Sequence, residues 1–279
     1  MADSIFDAEA FNTFEHRGWE TNNLDAYQEV FGPMTSLGVD ALLDAAKVRR
    51  GTRLLDVATG PGYVAGRAAE RGAKVTGVDL SDQMLAVAVR RYPALEFVNG
   101  DAEALPFPEG TFDAVVANFC ILHVGRPERA ASSFARVLKP GGLVALTAWN
   151  VPEQCRAIGV MVEAVRAAGA VAPATLPPGP DFFQFAADSE LLSLLKEAQL
   201  EQIEVKALEF QHTIPSADHL WRGFAEGGVR NRQFLLLQSE EMRRRIRKEF
   251  DQRLEAFRST QGFKLPVSVK LASAAKPVR

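Results

Sequence analysis

This chain has almost no cysteine: two residues, Cys120 and Cys155, among 279. Two thiols cannot build a disulfide framework. Cys120 lies inside an apolar run, where a thiol behaves as a small buried hydrophobe. Histidine is nearly as scarce, with four. No His or Cys pair stands at ligand spacing, so no metal site is expected. Excess positive charge is missing too. The 32 Lys and Arg are outweighed by 35 Asp and Glu, for a net charge of −3. Neither nucleic acid nor an anionic membrane surface is an expected partner. No apolar run is long enough to cross a bilayer. The opening MADSIFDAEAF has neither a basic n-region nor an apolar h-region, so no signal peptide is expected. The expected compartment is the cytoplasm.

What is present is ordinary globular material, 47% hydrophobic and 24% charged. That suffices for one large domain, or one domain with a cap. The stretch that organises it is LLDVATGPG, Leu54 to Gly62. Leu54, Leu55 and Val57 end a buried strand that Asp56 interrupts. Gly60 and Gly62 suit a tight turn, and AGRAAERG continues as a helix. A strand that ends in a glycine turn and feeds a helix N-terminus lets a ligand approach bare backbone. Asp56 just before the turn suits a positively charged ligand better than a pyrophosphate. The second landmark is VTGVDLS, where Asp79 ends another short strand. An acid there, roughly twenty residues beyond the glycines, can accept both hydroxyls of a ribose. Together these features call for a nucleoside-containing cofactor.

Four segments in order, LLDVATGPG, VTGVDLS, GDAEALPFPEGTFDAVVANFCILHV and LKPGG, resemble the class I S-adenosylmethionine-dependent methyltransferases. The likeness is greatest to the small-molecule branch that includes the ubiquinone and menaquinone C-methyltransferases, and it covers about residues 50 to 150. One departure is ATGPG where much of the family has GCGTG or GTG. Both turn glycines survive it. The resemblance implies S-adenosyl-L-methionine as cofactor, held by Asp56, Ala58, Gly60 and Gly62 around the first turn. It implies Asp79 and Leu80 at the ribose, with Met84 lying under the adenine. Asp101 and the amide of Ala102 would recognise the adenine edge, which their chemistry also suits. Asn118 stands at the family's fourth motif, at the carboxyl end of a strand. Tyr27 is the candidate for the methionine carboxylate, and His123 is the candidate catalytic base.

The implied fold is α/β: a Rossmann-like, seven-stranded, mostly parallel sheet with helices on both faces. A helical cap comes from an N-terminal flap and from C-terminal insertions. No linker marks a second domain, so residues 1–279 form one methyltransferase domain. Residues 1–35 are the flap and 36–150 the cofactor-binding core. Residues 151–279 supply cap segments and the last strands. A helix spans 36–48, and LKPGG turns into a strand, GLVALTAW. EQIEVKALEFQHTI alternates as a strand. GFKLPVSVKLASAAK closes the sheet, antiparallel. Arg243, Arg244, Arg245, Arg247 and Lys248 alternate with acids at helical spacing, a solvated, salt-bridged face.

Methyl transfer from a sulfonium to a small, planar or aromatic acceptor needs alignment more than chemistry, so catalytic motifs are weak. The expected substrate walls are Trp149, Phe182, Phe183, Phe185 and Trp221. Arg230, in GGVRN, is placed to hold an acidic group of the acceptor. Besides His123, His212 and His219 are further bases by residue type alone. Oligomeric state leaves no trace in the sequence. Two rival readings have a sequence basis. One is an S-adenosylmethionine-binding protein that does not methylate. The other is an NAD(P)-dependent oxidoreductase, because Gly60, Gly62 and Ala65 fit a relaxed dinucleotide fingerprint. Asp56, the helix before the first strand, and LKPGG all count against the second.

Overall fold

The computed structural model describes residues 6–278. Residues 1–5 of the expected flap lie outside the described residues. Helix α1 (Ala8–Thr21) starts where Asp7 accepts hydrogen bonds from the amides of Glu9 and Ala10, satisfying N-terminal donors that have no partner within the helix. Short turns then run through Leu24–Ala26, a π-helical turn at Tyr27–Phe31, and Gly32–Thr35. Helix α2 (Val39–Ala45) is shorter than the expected 36–48, because Gly38 precedes it and Lys47 takes a left-handed φ of 51°.

The core follows as alternating strands and helices, except that only the short turn Ala102–Ala104 separates the third strand from the fourth. Strand β1 (Arg53–Val57) leads to α3 (Tyr63–Glu70), and β2 (Lys74–Asp79) leads to α4 (Asp82–Arg91). Strands β3 (Glu96–Asn99) and β4 (Phe112–Asn118) precede α5 (Pro127–Val137) and β5 (Leu138–Trp149). Ser81 caps α4 by accepting from the Met84 amide at 3.1 Å. Pro127 sits in the first turn of α5, where its missing N–H costs nothing.

After β5 come α6 (Arg156–Ala167), α7 (Asp188–Glu197) and β6 (Glu201–Ile214). Helices α8 (Ala217–Arg222), α9 (Arg230–Leu236) and α10 (Glu240–Leu254) follow. The chain closes with β7 (Arg258–Ser259) and β8 (Gly262–Ala275).

The sheet order is β3-β2-β1-β4-β5-β8-β6. The first five strands of that order pair in parallel, and β8 runs antiparallel to both β5 and β6. Seven strands were expected. The sheet has eight, because the two-residue β7 folds back on β8 as a hairpin. LKPGG also differs from expectation. It lies within β5, as a bulge: Phe112 pairs with Leu138 but Ala114 pairs with Leu143. Gly141, at φ 74°, lets the extra residues loop out.

Side chains of successive strand residues go to opposite faces, and both faces are buried. Leu54, Ala114 and Val116 pack under α2 and α3. Leu55, Val57, Val115 and Ala117 join α5, α6 and α7 in the larger core. The basic run on α10 is a salt-bridged face, as its spacing predicts. Arg244 pairs with Glu240, and Arg247 with both Asp251 and Asp218.

Strand order reverses between β1 and β4. The carboxyl ends of the strands diverge there and leave a crevice. Helix α1 and the turns after it lie over that crevice. Asn12 donates to Glu103 at 2.7 Å and accepts from the Gly125 amide at 2.6 Å. On the other side Asn22 donates to the Gly227 carbonyl at 2.9 Å. The N-terminal segment is thus fastened both to core loops and to the later helices.

Candidate functional site

The covered crevice is a cavity of about 510 Å³, well within the range of small-molecule sites. One bank is polar and made by strand ends. Gly60 has a φ of +51°, and nothing lies within 4 Å of the position its Cβ would take. The backbone there is bare toward the cavity. Ala58 lines the cavity as well, at a φ of 54° that costs an L-residue about 1–2 kcal/mol. Asp79 ties the turn to β2. Its Oδ2 accepts from the Gly60 amide at 2.8 Å, and its Oδ1 from the Ser81 amide at 2.9 Å. The Leu80 amide also donates to this carboxylate. Burial pushes the Asp79 pKa above its ordinary value. Those amides oppose the rise and the charge of Glu20 adds to it.

Leu80, Met84, Asp101 and Ala102 continue this bank. Asp101 also caps the turn Ala102–Ala104, accepting from the Glu103 amide at 2.8 Å. At the end of β4, Asn118 donates to the Thr35 carbonyl at 3.0 Å and accepts from the Thr147 hydroxyl at 2.7 Å. Asn118 therefore joins the flap to two strands while facing the cavity. Tyr27 enters from the π-helical turn. Burial raises its phenol pKa, with Tyr63 and Asp79 adding to the shift, so the hydroxyl is kept as a donor.

The other bank is apolar. Trp149, Phe182 and Phe183 stand on it, as expected, and Arg230 enters from α9. Arg230 donates to the Pro177 carbonyl at 2.8 Å, pinning the proline-rich loop. Burial lowers its pKa from arginine's ordinary value, against the pull of Glu15. His123 reaches the cavity from the turn Ile121–His123, with Nδ1 3.0 Å from Oε2 of Glu15.

The structure leaves several expected residues off the cavity wall. Asp56 is wholly buried behind the turn, because the turn folds back over its carboxyl. Its Oδ2 accepts from the Thr59 hydroxyl at 2.6 Å, while Oδ1 has no hydrogen-bond partner. Burial pushes its pKa up to about 7. The Thr59 hydroxyl and the Ala65 amide oppose that shift, and Asp79 adds to it. Gly62 is the N-cap of α3 at φ 83°. Its bare Cα serves packing, since a Cβ there would come within 2.9 Å of the Tyr92 ring. Phe185 turns into the core. Trp221 packs edge-on against Phe250 at 5.5 Å, under the guanidinium of Arg247. His212, on β6, and His219, on α8, lie off the lining as well.

Among the wall residues that escape the motif reading are Glu15 and Phe119. Glu15 follows no motif, and its burial at 4% is set by docking of α1. Its only local signal is the i, i+4 spacing to Trp19, whose Nε1 donates to it at 3.2 Å. Phe119 has a left-handed φ of 54°, rare for a bulky residue. The Thr147 hydroxyl accepts its amide at 3.0 Å, and its ring stacks on Trp149 with centroids 4.0 Å apart. Strained backbone of this kind gathers at ligand sites.

Acid-tipped parallel strands, a bare glycine turn at the switch point and a covered cavity are the features expected of a class I S-adenosylmethionine-dependent methyltransferase domain. The likeness to known proteins agrees. A family model described as a methyltransferase domain matches residues 55–146. The demethylmenaquinone methyltransferase of Renibacterium salmoninarum is 40% identical over 111 residues, covering 40% of this chain and 47% of that protein. The same enzyme from Chlorobaculum tepidum is 43% identical over 119 residues, covering 39% and 49%. The chain thus spans about half the length of the curated relatives it matches. Among solved structures, a candidate methyltransferase of Bacillus halodurans C-125 superposes with a TM-score of 0.56 at 25% identity, covering 86% of this chain and 98% of that one. A Haemonchus contortus phosphoethanolamine N-methyltransferase in complex with S-adenosyl-L-methionine shares the fold, with a TM-score of 0.56 at 21% identity over 99% of this chain and 61% of that one. Residues 55–146 thus match a methyltransferase domain, and these relatives and solved structures are described as methyltransferases.

Proposed function

We propose that this protein transfers a methyl group from S-adenosyl-L-methionine to a small acceptor with a planar or aromatic ring. The observation that carries the reading is one cavity with two unlike banks. Asp79, Asp101 and the bare backbone at Gly60 line one, and Trp149, Phe182 and Phe183 line the other. The polar bank fits the cofactor. The Asp79 carboxylate, an acceptor at the end of β2, suits ribose hydroxyls. Asp101 and the Ala102 amide suit the adenine edge, over Met84. The open space at Gly60 is one that any Cβ would fill. Asn118 and the Tyr27 hydroxyl face the remaining, amino-acid end.

When bound, the cofactor supplies a methyl group on an already activated sulfonium. The chain's part is then alignment and exclusion of water, and alignment alone can lower a barrier by about 7–11 kcal/mol. The aromatic bank holds the acceptor ring, and Arg230 holds an acidic group on it. His123 takes the acceptor's proton. Asp56, buried behind the turn, supports the turn's shape instead of touching ligand.

Residues 1–279 work as one methyltransferase domain in this reading. The flap is 1–35, the cofactor-binding core 36–150, and the cap with the last strands 151–279. The partner is a small-molecule acceptor, with no role for nucleic acid or a membrane. No described helix is long and apolar enough to cross a membrane. The proposed compartment is the cytoplasm.

The test is parallel calorimetric titration with S-adenosylmethionine, S-adenosylhomocysteine and NADH. Product masses follow from incubation with a panel of phenols, hydroquinones and aromatic amines. Micromolar binding of the two adenosyl sulfur compounds, with a product heavier by one methylene, supports the reading. Binding of NADH alone overturns it. Cofactor binding with no methylated product across the panel favours a non-methylating protein.

A further inference from the structure

Glu15 has no part in the motifs, yet it grips the His123 imidazole on the cavity wall. Glu15 Oε2 lies 3.0 Å from Nδ1 of His123. The same oxygen accepts from the Trp19 indole N–H at 3.2 Å. Trp19 in turn meets the imidazole edge-on at 5.3 Å, and Phe182 meets it from another side at 5.9 Å. The ring is therefore held in place and in rotation, with one edge left to the cavity. The other titratable and charged groups on the same cavity are Glu15 and His16 from α1, Tyr27 from the turn after it, Asp79 and Asp101 from the strand ends, Cys120 beyond β4, and Arg230 from α9.

A carboxylate can only accept hydrogen bonds. The ring nitrogen that faces Glu15 therefore carries the proton. A neutral imidazole with Nδ1–H presents Nε2 as an acceptor, and no hydrogen bond among the described residues engages Nε2. A solitary imidazole, free to choose its tautomer, would offer a lone pair and an N–H in turn. Only the first can take a proton.

We propose that Glu15 is the positioning residue that fixes His123 as its Nδ1–H tautomer, so that Nε2 is the nitrogen presented to the acceptor's proton. This rests on the reading of His123 as base given above. The balance closes without a further reactant. The acceptor's bond to its proton breaks toward Nε2, and the electron pair released supplies the new bond to the methyl carbon. The carbon–sulfur bond breaks with its pair left on sulfur. The Glu15 carboxylate faces the imidazolium that results, and the proton then passes to water.

The test uses the full chain labelled with ¹⁵N-histidine and saturated with S-adenosylhomocysteine. Two-bond ¹H–¹⁵N spectra in mildly alkaline buffer read the tautomer directly, with His123→Gln assigning the signal. The wild type is expected to show the Nδ1–H form. Glu15→Met, which keeps the volume and removes the acceptor, is expected to lose it in favour of Nε2–H. Trp19→Phe, which removes only the other donor to Glu15, is expected to retain Nδ1–H; a switch there would make the indole the tautomer-setting group and overturn the assignment. An Nε2–H signal in the wild type overturns it outright, whether or not Glu15→Met folds. An unchanged tautomer in Glu15→Met overturns it too. Prior titration of the wild type with S-adenosylhomocysteine separates the two readings: no binding ends the cofactor reading itself, whereas binding with the wrong tautomer ends only the role of Glu15.

Discussion

The two banks of the cavity are built on different principles. The polar bank comes from short, consecutive pieces of chain, each placed by the end of a parallel strand. Gly60, Asp79 and Asp101 follow β1, β2 and β3, three adjacent strands. Their relative positions are set once the sheet forms. The apolar bank comes from segments far apart in sequence. Glu15 and Trp19 lie on α1, Phe119 and His123 follow β4, and Arg230 opens α9. No single element positions them. They meet because α1 docks over the switch point and the proline-rich loop is pinned by Arg230. Matched sequence covers 55–146, which contains the polar bank's strand ends and little of the apolar one. The lesson is that a site given by backbone geometry travels with its local motifs, whereas a site given by helix docking does not.

The sharpest break in this comparison is a substitution on the apolar side. His123→Ala should lower turnover by roughly 10²–10⁴-fold, the usual weight of a general base, and leave S-adenosylhomocysteine affinity nearly intact. If calorimetry shows the affinity falling in step with turnover, the two banks are not separate.

Asp56 tests the scaffold under the polar bank. Its folded pKa, near 7, lies above the ordinary value of about 3.9 for an unfolded aspartate. Its contribution to stability is therefore largest below the unfolded value and is lost as pH rises toward and through the folded one. Wild-type stability should accordingly lose about 2–3 kcal/mol from this group between roughly pH 5 and pH 8. Asp56→Asn should remove that loss. Urea unfolding at both pH values checks it, and a constant difference between variant and wild type would show that Asp56 does not titrate there.

Asp79→Ala should act on the polar side alone. A charged hydrogen bond is worth about 1.5–3 kcal/mol, so S-adenosylhomocysteine affinity should fall at least about tenfold. An unchanged dissociation constant would be incompatible with ribose binding at Asp79. The smallest effect concerns Ala58, held at φ 54°. Ala58→Gly should relieve local strain and raise stability by about 0.5 kcal/mol after the added freedom of the unfolded chain is subtracted. Thermal unfolding reads it, and a loss of stability would mean that the alanine methyl contributes packing that outweighs the strain.

Local chemistry accounts for what was legible in the chain. The strand–turn–helix over LLDVATGPG, the acid after β2, the Ser81 cap and the long alternating β6 all appear where their residue types require them. Each depends on neighbours within a few residues. Asp56, Gly62, Phe185 and Trp221 were legible only as residue types. Whether an acid or an aromatic faces the cavity or the core depends on which way its element is turned. Asp56 is turned behind its own loop, Phe185 into the larger core and Trp221 onto Phe250.

The glycine turn and the acids at the strand ends were readable from residues alone, because hydrophobic alternation and backbone freedom act at short range, while the mostly parallel sheet came as what the family resemblance implies. The docked fold alone shows that Glu15 reaches His123 and that Phe119 is held in a strained turn against Trp149. Those contacts join residues distant along the chain, and burial of apolar surface, which has no direction of its own, brings them together only once every element has docked.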